Sequence, residues 1–156
     1  MDLHSLLETD TILSQFEVSS KKELISAMVD CLEDKVSKEN IKELKKSVWE
    51  REKIMSTGVG KGLAIPHCKS ELVTESFASF AVLKEPLNFN SVDSIPVRLV
   101  FLLISPNEKN SLHIKLLSRI SRLMNSGAFR EKVLSCENSS QIMEAFQEEE
   151  TYFMNS

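Results

Sequence analysis

Cysteine, glycine, proline and aromatic residues are all scarce in this sequence: three Cys, four Gly, four Pro and 6% aromatics in 156 residues. The cysteines, Cys31, Cys68 and Cys136, are odd in number and form no CxxC pair. That argues against a disulfide framework and against a structural zinc site. No internal repeat, low-complexity tract or linker divides the chain. No unbroken apolar run exceeds Leu99–Ile104, far below the roughly 20 residues that cross a bilayer. The opening Met1-Asp2-Leu3-His4 has neither the basic flank nor the apolar stretch of a secretory signal, so a cytoplasmic location is expected. An excess of positive charge is missing too: 19 Lys and Arg stand against 23 Asp and Glu, a net charge of −4. The two signs are interleaved, as in Lys42-Glu43-Leu44-Lys45-Lys46. No basic face is gathered that would release counterions from phosphates, which excludes an ordinary nucleic-acid binder.

What is present reads as one globular domain over residues 1–156, 42% apolar and 27% charged, long enough to bury a core. Ser20 followed by Glu23 has the form of a capping box. After it, Leu24, Ile25, Met28, Val29, Leu32 and Val36 fall at helical spacing. A second helix is predicted from about Ser37, with Ile41, Leu44 and Val48 inward and Arg51 at the C-terminal end of that face. Leu63–Ile65 reads as a short strand that Pro66 ends. Phe77–Leu83 reads as another, bounded by Lys84-Glu85-Pro86. Val97–Ile104, apolar apart from Arg98, has the pattern of a central strand covered on both faces. Further helices are predicted over Leu112–Met124, Phe129–Leu134 and Gln141–Phe146. Helices alternating with buried strands define an α/β domain with helices packed on a sheet.

Chemistry can sit in few places. His4, near the terminus, reads as incidental. His67 follows a strand directly and is held by Pro66, whose fixed φ displays the imidazole where open α/β sheets bind ligands. Alone, it reads equally as a structural or merely exposed histidine. His113 shares a helix face with Leu116, Leu117, Ile120 and Met124, so it is either a core histidine or a second ring approaching the same sheet edge. The start of a helix disfavours an imidazolium and keeps such a ring neutral. Three of the four glycines lie in Thr57-Gly58-Val59-Gly60-Lys61-Gly62. This run matches neither GxxxxGK[ST] nor GxGxxG. It is either a turn or a nest whose N–H groups receive a phosphoryl group, with Ser56 and Thr57 adding hydroxyls. Cys68 points away from its neighbour His67 and is a poor choice of nucleophile.

The run Ser56-Thr57-Gly58-Val59-Gly60-Lys61-Gly62-Leu63-Ala64-Ile65-Pro66-His67 resembles the phosphorylation signature of bacterial phosphotransferase-system enzyme IIA domains of the fructose, mannitol and nitrogen-regulatory type. Leu112-His113-Ile114-Lys115-Leu116-Leu117-Ser118 resembles the second histidine motif of that family. Arg51 also stands where the family places an arginine, and the likeness runs from about Leu6 to Phe146. Lys61 and Cys68 depart from it, since the family often has asparagine and glycine there. The resemblance implies an α/β fold with a mixed, roughly five-stranded sheet flanked by helices on both faces. It implies that His67 accepts a phosphoryl group from an HPr-type phosphocarrier and passes it to a cysteine of an enzyme IIB domain. Arg51 and His113 would stabilise the group, and Ser56, Thr57, Gly58 and Gly60 would bind it. No metal or organic cofactor is implied, because the incoming group is already activated. Two roles fit: a sugar-transport component, or a regulatory module whose target reads the phosphate on His67. A chain standing alone leans toward the nitrogen-regulatory type. A binding module without phosphotransfer is disfavoured by the presence of both histidines and Arg51.

Overall fold

The computed structural model describes residues 2–155, with side chains through position 152. Two short 3-10 turns, His4–Leu6 and Thr9–Thr11, lead into strand β1 (Ile12–Phe16). Helices α1 (Lys21–Asp30) and α2 (Lys38–Ile54) follow, then strands β2 (Gly58–Gly60), β3 (Leu63–Ala64), β4 (His67–Ser70), β5 (Phe77–Leu87) and β6 (Val97–Pro106). The chain ends with α3 (Asn110–Met124), α4 (Gly127–Leu134) and α5 (Ser139–Asn155). Among the described residues no helix is long and apolar enough to cross a membrane.

The sheet is mixed and has six strands, in the lateral order β1-β5-β6-β3-β2, with β4 also on β6. Every residue of β6 except Arg98 is buried, as its apolar run predicts for a central strand. Alternation along β6 divides two cores. Leu99, Phe101 and Leu103 point to the side covered by α3, α4 and α5. Val100, Leu102 and Ile104 point to the side covered by α1 and α2. Helices therefore lie on both faces, and the expected fold class is the observed one.

Several local expectations differ from the structure. Pro66 does not end the strand. Leu63 pairs with Leu99 and Ala64 with Val100; beyond the proline His67 pairs with Leu103 and Cys68 with Ile104. The offset is the same throughout, so β3 and β4 form one parallel line along β6. Pro66 is tolerated because the ladder needs only its carbonyl, which accepts from Leu103 N at 3.0 Å. This is why six strands occupy the five lateral places that the sequence suggested. β5 runs on through Lys84-Glu85-Pro86 to Leu87, with a register shift between Val82 and Leu87 that accommodates the proline. β1 was not anticipated: it is short, and its five residues carry no clean alternation. The capping box at α1 is half formed. Ser20 Oγ accepts from Glu23 N at 3.1 Å, but the Glu23 carboxylate instead accepts from Ser19 Oγ at 2.8 Å.

His4 is not incidental. Its backbone N–H and its Nδ1 lie 2.6 and 2.7 Å from Oε1 of Glu150, a residue of α5 that is 1% exposed. The other oxygen accepts from Leu3 N at 2.7 Å and Arg119 Nε at 2.9 Å. One buried carboxylate thus ties the first turn to the last helix. Burial raises its pKa, but the Leu3 and His4 N–H groups and Arg119 outweigh that and hold it below the usual carboxylate value of 4.5.

Removing the carboxylate leaves buried donors unpaired. Glu150→Ala is expected to cost about 3 kcal/mol or more, measured by urea unfolding at pH 7. Because the folded carboxyl is the stronger acid, its contribution is complete above pH 4.5 in the native protein and is lost as pH falls through the lower folded value. The same titration on Glu150→Gln should lack that acid-dependent loss.

Candidate functional site

His67 opens β4 and pairs with Leu103, so its ring shares the α3 side of the sheet. Its Nδ1 lies 2.7 Å from the carbonyl oxygen of Ile65. A carbonyl only accepts, so the proton is on Nδ1 and the lone pair of the neutral ring is on Nε2. Ile65 N–H still pairs, donating to the Thr57 carbonyl at 3.0 Å, but the Thr57 N–H that would return the bond goes to Glu52, so the Ile65 carbonyl is left without a ladder donor. Burial lowers the His67 pKa from 6.5; the Ile65 hydrogen bond opposes this, and the positive charge of Arg51 reinforces it. The ring is neutral at physiological pH, with a nucleophilic nitrogen.

His113 lies in the first turn of α3, and only 4% of it is exposed. Its Nδ1 is 2.8 Å from Ser105 Oγ, near the end of β6. The two rings meet with centroids 5.5 Å apart and planes tilted by 52°. Burial first, then the neighbouring His67 and Lys69, push the His113 pKa down to about 4. Sequence left open whether His113 belonged to the core or to the site. It belongs to both, being buried under the helix and in contact with the first ring.

Both histidines line an open pocket of about 430 Å³ at the end of the sheet, together with Arg51, Lys69 and Asn110. Arg51 comes from the last turn of α2 on the opposite helical layer. Its Nη1 donates to the carbonyl of Met55 at 2.8 Å, so in this structure it also satisfies a helix-end acceptor. Lys69 was missed in the sequence. It lies two residues after His67 in the same strand and therefore on the same face. Its Nζ donates to Asn110 Oδ1 at 2.7 Å, at the N-terminus of α3. Two cations and a helix N-terminus thus converge near an accessible imidazole nitrogen, an arrangement suited to a tetrahedral anion. Among the described residues no three His, Cys, Asp or Glu side chains gather to hold a metal.

Ser56, Thr57, Gly58 and Gly60, expected to bind the phosphoryl group, do not line this pocket. The reason is a second residue that sequence reasoning passed over, Glu52, which is 3% exposed. Its carboxylate accepts from Thr57 N at 2.8 Å, from Thr57 Oγ1, and from Lys21 Nζ at 3.1 Å. Ser56 Oγ donates to the Phe89 carbonyl and accepts from Gly58 N at 3.1 Å. The Ser56 and Thr57 hydroxyls and the Thr57 and Gly58 N–H groups are therefore paired inside the fold. Gly60 and Gly62, at φ +101° and +79°, flank Lys61 at φ +59° in the tight β2–β3 turn. Here glycine is required by the backbone, and the run is a hairpin.

Comparison with solved structures gives the class first. The fold superposes on the nitrogen regulatory protein IIA-Ntr of Neisseria meningitidis with a TM-score of 0.86 at 28% identity, over 92% of this chain and 98% of that one. It also superposes on the mannitol IIA of Escherichia coli with a TM-score of 0.73 at 20% identity, over 90% of this chain and 98% of that one, a likeness of fold alone. The molecule is a IIA-type phosphocarrier domain. Residues 5–149 match the family described as phosphoenolpyruvate-dependent sugar phosphotransferase system, EIIA 2, and the chain belongs to that family. It is 34% identical to the nitrogen regulatory protein of Bradyrhizobium diazoefficiens over 133 residues, 85% of this chain and 86% of that protein. It is 33% identical to the fructose-specific EIIABC component of Bacillus subtilis over 145 residues, 92% of this chain but 23% of that larger protein.

Cys68 pairs with Ile104 and turns into the core beneath α1 and α2, away from His67. Burial pushes its pKa up to about 12. The native thiol should therefore resist alkylation by iodoacetamide at pH 8, followed by mass spectrometry, and react fully once unfolded. Cys68→Ala should accept phosphate at the wild-type rate. A variant that no longer accepts it would restore the thiol as a reacting group.

Proposed function

We propose that His67 is the phosphoryl acceptor of this carrier, receiving the group on Nε2 from the phosphohistidine of an HPr-type protein. The observation that carries this reading is the Ile65 carbonyl on Nδ1, which leaves the Nε2 lone pair as the accessible nucleophile beside Arg51, Lys69 and His113. Transfer forms the bond from Nε2 to phosphorus as the bond to the donor nitrogen breaks in line. Charge spreads over the three equatorial oxygens. Arg51 exchanges the Met55 carbonyl for one of these oxygens, and Lys69 balances charge from the other side. The phosphoramidate then passes the group to a downstream acceptor, a cysteine of a IIB domain when the chain serves transport. An Escherichia coli mannitol IIA has been solved in complex with phosphorylated mannitol IIB, which supports such a docking.

The nitrogen-regulatory role is the one we favour. The higher TM-score to the Neisseria protein, 0.86 against 0.73 for the mannitol IIA, supports it. In that role the charge placed on His67 is itself the signal, because a phosphoryl group adds up to about two negative charges to an open surface. Near-equal identity to the fructose component keeps the transport role as the second reading.

Incubation with enzyme I, HPr and phosphoenolpyruvate should give one acid-labile, base-stable phosphate per chain, mapped to His67. His67→Ala should take none, and Arg51→Ala should slow acceptance by roughly 100-fold. A phosphate mapped elsewhere, or none on the wild-type protein, overturns the reading. Since the His67 pKa is held below 6.5, the rate should fall with acid as the ring protonates, with the midpoint of that fall below pH 6.5.

A further inference from the structure

Two buried hydroxyls lie behind the pocket and take no part in the transfer as described above. Ser76 is 8% exposed, and Ser105 is fully buried. They form a line that ends on the second imidazole: Ser76 Oγ is 3.3 Å from Ser105 Oγ, which is 2.8 Å from His113 Nδ1. Each hydroxyl has one proton to give, so the ends of the line decide its direction. If Ser76 donates to Ser105, the Ser105 proton goes to His113 Nδ1 and every group is satisfied. In the reverse sense His113 Nδ1–H would donate to Ser105 and Ser105 to Ser76. The Ser76 proton would then have no acceptor among the described residues. A buried donor left unpaired is costly, and that cost selects the first sense.

We propose that Ser105, oriented by Ser76, is a positioning residue that holds His113 as its Nε2–H tautomer, so that a phosphoryl group on His67 meets an N–H donor instead of a lone pair. The proposal rests on the reading of His67 as acceptor. Its logic is the complementarity of two rings whose centroids are 5.5 Å apart. The Ile65 carbonyl puts the proton of His67 on Nδ1 and bares Nε2. The Ser105 hydroxyl does the opposite for His113, baring nothing toward the pocket. One ring bonds the phosphorus and the other donates to its oxygen. The opposite tautomer of His113 would aim a lone pair at the oxygens and repel them. Burial holds the ring neutral, so it does not escape that repulsion by gaining a second proton.

The test reads the ring nitrogens of His113 by 15N NMR in the unphosphorylated protein at pH 7.5, alongside the rate of acceptance from phospho-HPr. The wild-type protein should show a protonated Nε2 and a bare Nδ1. Ser105→Ala should mix the two tautomers and slow acceptance by about tenfold, less than loss of the donor itself. Ser105→Thr keeps the hydroxyl and should restore both readouts. Ser76→Ala leaves Ser105 in place but frees its proton, and should give partial mixing even if Ser105→Ala does not fold. A wild-type His113 protonated on Nδ1 overturns the proposal. So does a folded Ser105→Ala, or a Ser76→Ala, with unchanged ring signals and rate. Failure of the wild-type protein to take phosphate overturns the reading of His67 instead, while the ring signals still judge the tautomer on their own.

Discussion

The site depends on one short contact, the His67 Nδ1–H to the carbonyl of Ile65 at 2.7 Å. It settles which nitrogen carries the proton, and so which one reacts, before any partner arrives. The contact exists because the residue opposite Ile65, Thr57, accepts from it but gives its own N–H to Glu52. A peptide whose opposite donor is taken has a carbonyl to spare, whereas a fully paired one would have spent it in the ladder. Chemistry at this position is thus a product of incomplete pairing in an otherwise well-covered sheet.

Around that contact, charge is arranged on rigid supports. Arg51 is carried by the end of a 17-residue helix, Lys69 by a strand, and His113 by the first turn of another helix. The flexible part is confined to the long cationic side chains, whose present partners are a carbonyl and an amide oxygen. Both are neutral acceptors, which an incoming anion outcompetes without breaking an ion pair. The buried carboxylates among the described residues are paired elsewhere: Glu52 with Lys21 under the hairpin, and Glu150 with Arg119 at the termini.

Most of the layered architecture was legible in the sequence because it follows from periodicity. The unbroken apolar run of β6 and the stripes of α1, α2 and α3 leave little choice. What was illegible depended on single hydrogen bonds between distant residues. Pro66 looked like a strand terminator because its missing N–H is a local fact, while the sufficiency of its carbonyl is a property of the ladder on β6. His4 looked idle because its partner is 146 positions away. The glycine run looked like a phosphate nest because nothing in its own composition reveals that Glu52, a buried acid among the charged residues of α2, consumes its donors. Lys69 was legible in principle, since a residue two positions on in a strand faces the same way.

The unbroken register from Leu63 to Ser70 along β6 has a further consequence for how the chain tolerates change. Parity decides which side chain faces which layer. A deletion of one residue between Ala64 and His67, with the ladder kept in step, would rotate everything downstream by half a turn. The imidazole would be driven into the apolar layer beneath α1 and α2, and the thiol of Cys68 would be turned out beside His113 in its place. The number of residues inside this segment is therefore fixed by geometry as firmly as any single side chain.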